Sequence, residues 1–330
     1  MGKSIEKLSS VTRLGLDLAK RVFQVHAVDA NGEMVVARKL ARGRLVGFFS
    51  QLPRCVVAME ACSSAHHWGR QLLALGFEVR LIPPAHVKPY VRRNKNDAVD
   101  AAAICEAAGR PSQRFVPVRS IENQAELMRH RARELLAGQR TAALNALRGH
   151  LAEIGVIAPQ GVQHAYDLKR LAVDGFDEYG EVVVPDCVRV ALRPLVSQID
   201  ALDAAIGAID NEIAMSVKAD ETAKRLMTVP GVGPVTASAI VATIQDIGDF
   251  ASGREFAAFL GLRPRQSSTG GKPRLGRVTK MGDRYLRKLL VVGACATLRH
   301  RKAITMLCVC GRAGCSAHRR WSSGWCRRRS

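Results

Sequence analysis

The stretch that decides the fold is "RLGLDLAKRVFQVHAVD", residues 13–29, in which apolar and polar residues alternate. That alternation predicts a β-strand with one buried face. The Asn31-Gly32 pair that follows predicts a tight hairpin turn, and "MVVARKL", residues 34–40, predicts the returning strand. Asp17 has apolar residues on both sides, so its carboxylate is expected either at a strand edge or beside a buried cation.

The chain continues from this hairpin as an alternation of strands and helices. "CVVAME" (55–60) predicts a short buried strand, "SSAHHWGRQLLALG" (63–76) a helix, and "EVRLIPP" (78–84) a strand that ends at two prolines. A further helix is expected from Asp97 onward, because alanines follow it. A hairpin followed by strand, helix, strand and helix predicts a mixed α/β domain over residues 11–115.

Two long helices are predicted in the middle of the chain, at residues 119–155 and 188–218. The second carries apolar residues spaced alternately three and four apart, which is an a/d heptad seam: Leu192, Leu195, Ile199, Leu202, Ile206, Ile209 and Ile213. The seam predicts a coiled coil, either with the first helix or with another chain. The alternative is one amphipathic helix on a globular core. Residues 156–187 are expected to be an irregular insertion, and the coiled-coil region spans 116–220.

The third predicted region, residues 221–302, is mainly helical. Within it, "LMTVPGVGPVTASAIVATI" (226–244) predicts two helices joined by a tight Pro-Gly turn, which is typical of a helix-hairpin-helix. The turn amides of such a motif can face a phosphate, although the pattern also fits a plain helical hairpin. Residues 262–290 then predict a loop with three consecutive hydroxyl residues at 267–269 and many cations, followed by a basic helix.

The charge of the chain points to a polyanionic partner. The net charge is +21, and residues 254–330 hold 19 lysines and arginines against two acidic residues. Such an asymmetry favours nucleic acid as the partner; the alternative is a basic, soluble surface. We find no apolar run of membrane-spanning length and no apolar signal core at the N-terminus. The sequence therefore predicts a cytoplasmic, nucleoid-associated protein without a membrane partner.

Four acids stand where they can converge. Asp17 and Glu60 follow apolar strand residues, while Asp97 and Asp100 lie one helical turn apart and share a face. Carboxylates from three elements fit one or two Mg²⁺ ions, which prefer oxygen ligands. Each acid alone also fits an ordinary solvated position. Three cations directly before the pair are expected to hold phosphates: Arg92, Arg93 and Lys95.

A family resemblance rests on five segments: "GLDLAK", "MEAC", "NKNDAVDA", "VPGVGPVTA" and "QSSTGGKPRLGRVTKMGDRYLRKLL". Together they resemble the DEDD transposases of the insertion-sequence one-ten family, especially its eleven-eleven branch. The resemblance implies an α/β fold with a RuvC-like (RNase H-like) N-terminal domain, a helical coiled-coil insertion and a mainly helical C-terminal transposase domain carrying a serine. It also implies recombination guided by a structured RNA, with Asp17, Glu60, Asp97 and Asp100 as the matching acids.

The serine falls in "QSSTGG", residues 266–271. Counting back from Lys280 favours Ser268, whereas alignment on the hydroxyl-glycine pair favours Thr269, and Ser267 is a third alternate. We predict Ser268, because a primary alkoxide is the less hindered nucleophile; it would form a covalent phosphoserine link to DNA. The hydroxyls also fit a flexible turn. Neighbouring cations are expected to neutralise phosphates: Arg265, Lys272, Arg274, Arg277, Lys280 and Arg284.

The partners expected on this interpretation are double-stranded DNA, at the ends of a mobile element and at its target, and a structured guide RNA. A homodimer that assembles to a homotetramer is also expected. Two other functions remain open: a RuvC-like nuclease or junction resolvase in which water attacks, and an inactive nucleic-acid-binding protein.

The last segment, residues 303–330, departs from the family pattern. It holds four cysteines and two tryptophans and has no helical periodicity, which predicts a frameshifted or otherwise altered end. The alternative is a zinc site with an unusual ligand spacing: Cys308, Cys310, Cys315 and His318.

Overall fold

A computed structural model describes residues 8–91, 97–111, 113–176, 179–181 and 183–299. The predicted altered tail and three of the expected phosphate ligands lie outside the described residues: 303–330, Arg92, Arg93 and Lys95. The chain separates into two compact units, Met1–Gln124 and Ala125–Ser330. The finer domain boundaries at residues 115, 220 and 302 stay predictions.

The first unit is built on a mixed five-stranded sheet, as the alternation of strands and helices predicts. Its strands are β1 (Arg13–Asp17), β2 (Val22–Val28), β3 (Met34–Ala41), β4 (Val56–Glu60) and β5 (Glu78–Ile82), in the order β3-β2-β1-β4-β5. The β3-β2-β1 pairs are antiparallel and the β1-β4-β5 pairs are parallel. The ends of β1, β3, β4 and β5 and the start of β2 therefore lie along one edge, which we call the carboxyl edge. Its helices are α1 (Leu45–Phe49), α2 (Ala65–Ala74), α3 (Pro84–Val87) and α4 (Asp97–Ala108).

The prediction of one strand over residues 13–29 is wrong, because the chain turns back at residues 18–21. Two antiparallel strands result, with Asp17 opposite Gln24. A 17-residue strand would also exceed the usual length of about 3–10 residues. The next turn is as predicted: Gly32 has a φ of 85°, and the Asp29 carboxylate accepts hydrogen bonds from the main-chain N–H groups of Asn31 and Glu33.

The sheet buries side chains on both faces. Leu14, Leu16, Val57 and Met59 point to one face, within the larger core that includes α2. On the other face Ala58 packs in a smaller cluster with alanines and an isoleucine of α4. We call this second side the α4 face.

The second unit is helical apart from one hairpin. Its helices are α5 (Ile121–Glu153), which begins in the first unit, α6 (Val162–Asp174), α7 (Asp186–Ala219), α8 (Glu221–Leu226), α9 (Pro234–Thr243), α10 (Gly253–Phe259) and α11 (Arg284–Arg299). The hairpin consists of β6 (Pro264–Gln266) and β7 (Leu275–Val278). Two sequence expectations are corrected here: residues 156–187 contain the helix α6, and the loop over 262–280 contains the hairpin.

The long helices α5 and α7 run antiparallel. Arg133 pairs with Asp210, and Arg140 with Asp203 at 3.2 Å, so residue numbers fall on one helix as they rise on the other. Most of the heptad seam of α7 is buried, including Ile199 with no exposed surface. The helix predicted at 119–155, which was one of the two expected partners of the seam, therefore runs beside α7 in the same chain. That the two helices form a coiled coil stays a prediction.

A buried polar chain joins α5, α9 and α11. His130, which is 1 % exposed, contacts Ser238 at 3.0 Å and Tyr285 at 3.1 Å, and the Ser238 hydroxyl donates to Glu126 at 2.7 Å. The turn between α8 and α9 packs on α11, because a Cβ on Gly231 would lie 2.7 Å from the Gly293 oxygen. The two helices predicted around the Pro-Gly turn are thus α8 and α9, joined through residues 227–233. That they form a helix-hairpin-helix and contact DNA stays a prediction.

None of the helices within the described ranges is long and apolar enough to cross a membrane.

Candidate active site

Two of the four predicted acids end neighbouring strands. Leu16 of β1 lies opposite Met59 of β4, so Asp17 and Glu60 are the next residues on two parallel strands. Adjacent strands lie about 4.8 Å apart. Because side chains alternate between faces, both acids share the α4 face with Gly15 and its partner, Ala58.

The other two acids, Asp97 and Asp100, lie in the first turn of α4. Their helix reaches the sheet closely because β1 carries a glycine beneath it. A Cβ on Gly15 would collide with the Ala101 carbonyl oxygen and lie 2.6 Å from the Cys105 backbone nitrogen. The backbones of β1 and α4 therefore touch two residues before Asp17 and one residue after Asp100.

These elements enclose a cavity of about 560 Å³ at the carboxyl edge. Three of the acids line it, namely Asp17, Glu60 and Asp100, together with Lys88 and Cys62. The fourth, Asp97, is close enough for its charge to act on Asp17. The structure thus places all four predicted acids at the carboxyl edge of the first unit.

Burial and the neighbouring acids raise the pKa of Asp17 above its ordinary value. Burial of the carboxyl is the largest cause, followed by repulsion from Asp100, Asp97 and Glu60, while a hydrogen bond from the Leu18 backbone acts in the opposite direction. Burial and like charge both disfavour the ionised form. A cation among the carboxylates would relieve both effects.

A neighbouring amide supports the fit of a hard cation. Gln24 lies opposite Asp17 on β2 and so on the same face; it is 6 % exposed, and its Oε1 has no hydrogen-bond partner among the described residues. Carboxylate and amide oxygens are the ligands that hard divalent cations prefer. Within the described ranges, no three His, Cys, Asp or Glu side chains lie close enough to form a metal site, so a bound cation would require these acids to move closer together.

Three residues of this site were missed by sequence reasoning. Lys88 follows the two prolines after β5 and lines the cavity, Gln24 lies beside Asp17, and Gly15 admits α4. The glycine stands in the same "LGLDLAK" segment as Asp17, but only the packing of α4 shows its purpose. The other two positions follow from strand register and loop path, which a single sequence does not carry.

The predicted serine lies in the second unit, on the β6–β7 hairpin. The Ser268 Oγ accepts hydrogen bonds from the Arg274 backbone N–H at 3.0 Å and from the Gln266 amide at 3.2 Å. The alternates take part in the hairpin through backbone atoms: the Ser267 N–H donates to Arg274, and the Thr269 carbonyl accepts from Lys272. Of the three hydroxyls, Ser268 is the one whose oxygen the hairpin holds.

The cations predicted to hold phosphates in the second unit are all exposed. Five belong to the hairpin segment, and the sixth begins α11: Arg265, Lys272, Arg274, Arg277, Lys280 and Arg284. Between Leu262 and Val278 every residue is exposed, and the sequence from 262 to 280 contains no acid. The hairpin therefore presents positive charge on both faces.

Comparison with known proteins gives two family matches. A profile of DEDD transposases of the IS110 type matches residues 14–156, which include all four acids. A profile described as "Transposase IS116/IS110/IS902 family" matches residues 223–307, which include the serine hairpin.

Individual relatives cover nearly the whole chain. The chain is 46% identical over 320 residues to a "Probable family 20 transposase" of Pseudomonas aeruginosa, covering 97% of this chain and 91% of the relative. It is 40% identical to the "Transposase for insertion sequence element IS1328" of Yersinia enterocolitica, over 86% and 83% of the two chains. It is 39% identical to the "Transposase for insertion sequence element IS1111A" of Coxiella burnetii, over 91% and 81%.

Proposed function

The chain belongs to the IS110 family of insertion-sequence transposases, which are DNA-transferring enzymes, and from this premise we propose that it cuts and rejoins DNA with the four acids of the carboxyl edge and with Ser268. The observation that carries the proposal is the convergence of Asp17, Glu60, Asp97 and Asp100, with a raised pKa at Asp17. Acids held together against their repulsion are typical of a site that binds a cation.

The acids are proposed to hold one or two Mg²⁺ ions. The family suggests a divalent metal, and the oxygen donors at this edge fit one. When bound, such ions polarise a phosphate and favour the attack of an oxygen nucleophile. Lys88 lines the same cavity and would bind a nonbridging oxygen of the phosphate that is cut.

Ser268 is the proposed nucleophile. Its oxygen forms a bond to phosphorus, a bond between that phosphorus and one backbone ester oxygen of the DNA breaks, and the hydroxyl proton ends on the departing oxygen. The two hydrogen bonds that the Ser268 Oγ accepts would stabilise the alkoxide, because a donor favours the charged form of its acceptor. The six exposed cations of the hairpin and α11 would neutralise the DNA phosphates.

We also propose that a structured RNA guides the choice of DNA. It fits the large positive charge of the chain, +21 overall, since a protein that holds two polyanions needs cations beyond those of one binding surface. Residues 254–330 alone hold 19 of the 50 lysines and arginines.

The test is the covalent protein–DNA adduct, trapped by denaturation and resolved by electrophoresis. We expect wild type to form it in the presence of Mg²⁺. We expect Ser268→Ala to lose it while DNA and RNA binding persist, because other side chains contact the phosphates. Thr269→Val is the matched control and should still form it.

Other outcomes would assign the chemistry differently. An adduct from Ser268→Ala but not from Thr269→Val would make Thr269 the nucleophile. Metal-dependent cutting without any adduct would make water the nucleophile, as in a junction resolvase. Binding without cutting in wild type would leave an inactive nucleic-acid-binding protein.

A further inference from the structure

The β2–β3 hairpin is strongly polarised in charge. Its acids, Asp29 and Glu33, lie at the turn between the strands, far from the carboxyl edge. At the carboxyl edge, the turn before β2, the end of β3 and the short turn after β3 carry five exposed cations and no acid: Lys20, Arg21, Lys39, Arg42 and Arg44. We call this set the cationic edge. Among the described residues no carboxylate forms an ion pair with any of the five.

One member of the cationic edge is held in place without a carboxylate. The Arg42 guanidinium lies 5.2 Å from the centre of the Trp68 ring and 5.7 Å from that of Phe23. It also donates to the Lys20 carbonyl oxygen at 3.4 Å. A guanidinium fixed by aromatic rings keeps most of its donors for another acceptor, and its planar fork suits phosphate.

The register places a cation in the same row as the acids. Asp17 lies opposite Gln24, and Gln24 lies opposite Lys39. Directly opposite residues share a face, so the row across four strands on the α4 face runs from Lys39 through Gln24 and Asp17 to Glu60. Beyond it, after β5, comes Lys88, which lines the cavity of the acids.

We propose that the carboxyl edge is a track for one DNA strand, with the cationic edge holding phosphates on one side of the acids and Lys88 holding one on the other. The proposal rests on the proposed function, because it places the strand that is cut across the four acids. Five strands at about 4.8 Å spacing span about 19 Å. At 3.4 Å per base step along one strand, that is a run of about five to six nucleotides.

The arrangement of charge favours DNA over a protein partner. Lys39 and Lys88 lie on either side of the acids, so an acidic peptide would meet repulsion in the middle. A nucleic-acid strand meets cations at both ends and, in the middle, the site that acts on its phosphate. DNA is favoured over RNA because the acids belong to the reaction on DNA.

The experiment compares two doubly substituted full-length proteins. Lys20→Gln/Lys39→Gln removes two exposed cations of the track. Arg54→Gln/Arg110→Gln is the control for the loss of two positive charges, because Arg54 precedes β4 and Arg110 follows α4, which places both at the opposite edge. Binding to a fluorescein-labelled duplex from the DNA flanking the gene is measured at several salt concentrations, and the measurement is repeated with a labelled RNA transcript of that sequence.

We expect the track variant to bind the duplex more weakly and to lower the slope of log affinity against log salt by about 2, since each phosphate that is no longer neutralised lowers the slope by roughly one. The control should keep the wild-type slope. At protein concentrations that saturate the duplex, strand cutting by the track variant should stay below that of the control, because the strand is no longer aligned over the acids.

Equal slopes for the two variants on DNA would overturn the track, and so would a weakening confined to the RNA probe. DNA cutting by Asp17→Asn tests the proposed function separately. If Asp17→Asn still cuts DNA, the acids are not catalytic even where the cationic edge binds the strand. If Asp17→Asn is inactive while the track variant behaves as the control, the catalytic site stands and the strand takes another path.

Discussion

At the scale of single residues, burial and three neighbouring acids oppose the ionisation of the Asp17 carboxyl. Its pKa in the folded chain is raised by burial and then by Asp100, Asp97 and Glu60. In the unfolded chain the same carboxyl titrates near its ordinary pKa of 3.8. Below 3.8 both states are protonated, so the carboxyl costs the folded state no stability. Stability falls as the pH rises from 3.8 through the folded pKa and stays lowered above it.

Replacing Asp17 should therefore stabilise the protein while removing its activity. We expect Asp17→Asn to raise the melting temperature at neutral pH without divalent metal, and the gain to vanish as the pH falls toward 3.8. Added Mg²⁺ should raise the melting temperature of wild type, since a ligand of the folded state stabilises it, and should have less effect on the variant. Thermal unfolding by circular dichroism measures each.

Glu33→Gln is the control for this prediction, because it removes an exposed acid at the opposite turn of the same unit. It should leave both the melting temperature and its response to Mg²⁺ close to wild type. A lower melting temperature for Asp17→Asn at neutral pH would mean that the carboxylate is satisfied within the protein and that no cation is needed.

At the scale of elements, the contact between β1 and α4 sets the site. Gly15 leaves room for the helix backbone, and α4 brings Asp97 and Asp100 with it. A methyl group at position 15 would have to displace backbone atoms rather than a flexible side chain. Main-chain contact thus places the first turn of α4 beside the end of β1.

Gly15→Ala should move α4 away from the sheet. Overpacking of this kind costs about 1–3 kcal/mol of the free energy of unfolding, and the displaced acids should bind Mg²⁺ more weakly. Gly47→Ala is the matched control, because Gly47 lies in α1 with nothing within 4 Å of an added Cβ, and alanine there should be neutral or stabilising. Urea unfolding and Mg²⁺ titration distinguish the two. Equal stability of both variants would show that α4 is free to shift.

Local pattern predicted most of these elements but not how they meet. The strands at 55–60 and 78–84 and the long helices follow from apolar patterning and prolines. The turn at residues 18–21 could not be predicted in this way, because Ala19, Lys20 and Arg21 include no Gly or Pro that would indicate a turn. α6 was missed because its neighbours at 156–161 are rich in breakers. The alignment of Lys39, Gln24, Asp17 and Glu60 in one row could not be predicted either, because strand register depends on contacts between residues far apart in the sequence.

At the scale of the whole molecule, the two halves of the proposed chemistry lie in different units. The acids belong to Met1–Gln124 and the serine to Ala125–Ser330. If the expected homodimer or homotetramer forms, the acids of one chain are predicted to act with the serine of another.

A mixing experiment tests that prediction. Asp17→Asn and Ser268→Ala should each be inactive alone. The two variants are then mixed and allowed to exchange subunits. If the acids of one chain act with the serine of the other, each mixed dimer has one site with both wild-type groups. Random pairing makes about half of the dimers mixed, so adduct formation should return to roughly a quarter of the wild-type level. No recovery despite subunit exchange, or a single chain by light scattering with and without DNA, would place both groups in one chain.

The β6–β7 hairpin has a consequence for the cell that carries such an element. Every residue from Leu262 to Val278 is exposed, so the ribbon that holds Ser268 rests on no core of its own, and a lone two-stranded hairpin is only marginally stable in water. On the proposed mechanism, binding of nucleic acid stabilises this hairpin, and with it the two hydrogen bonds that position the Ser268 Oγ. Without its nucleic-acid substrate, the chain then holds Ser268 on a marginally stable hairpin that is poorly suited to attack a phosphate. This would limit unwanted cutting of the host chromosome.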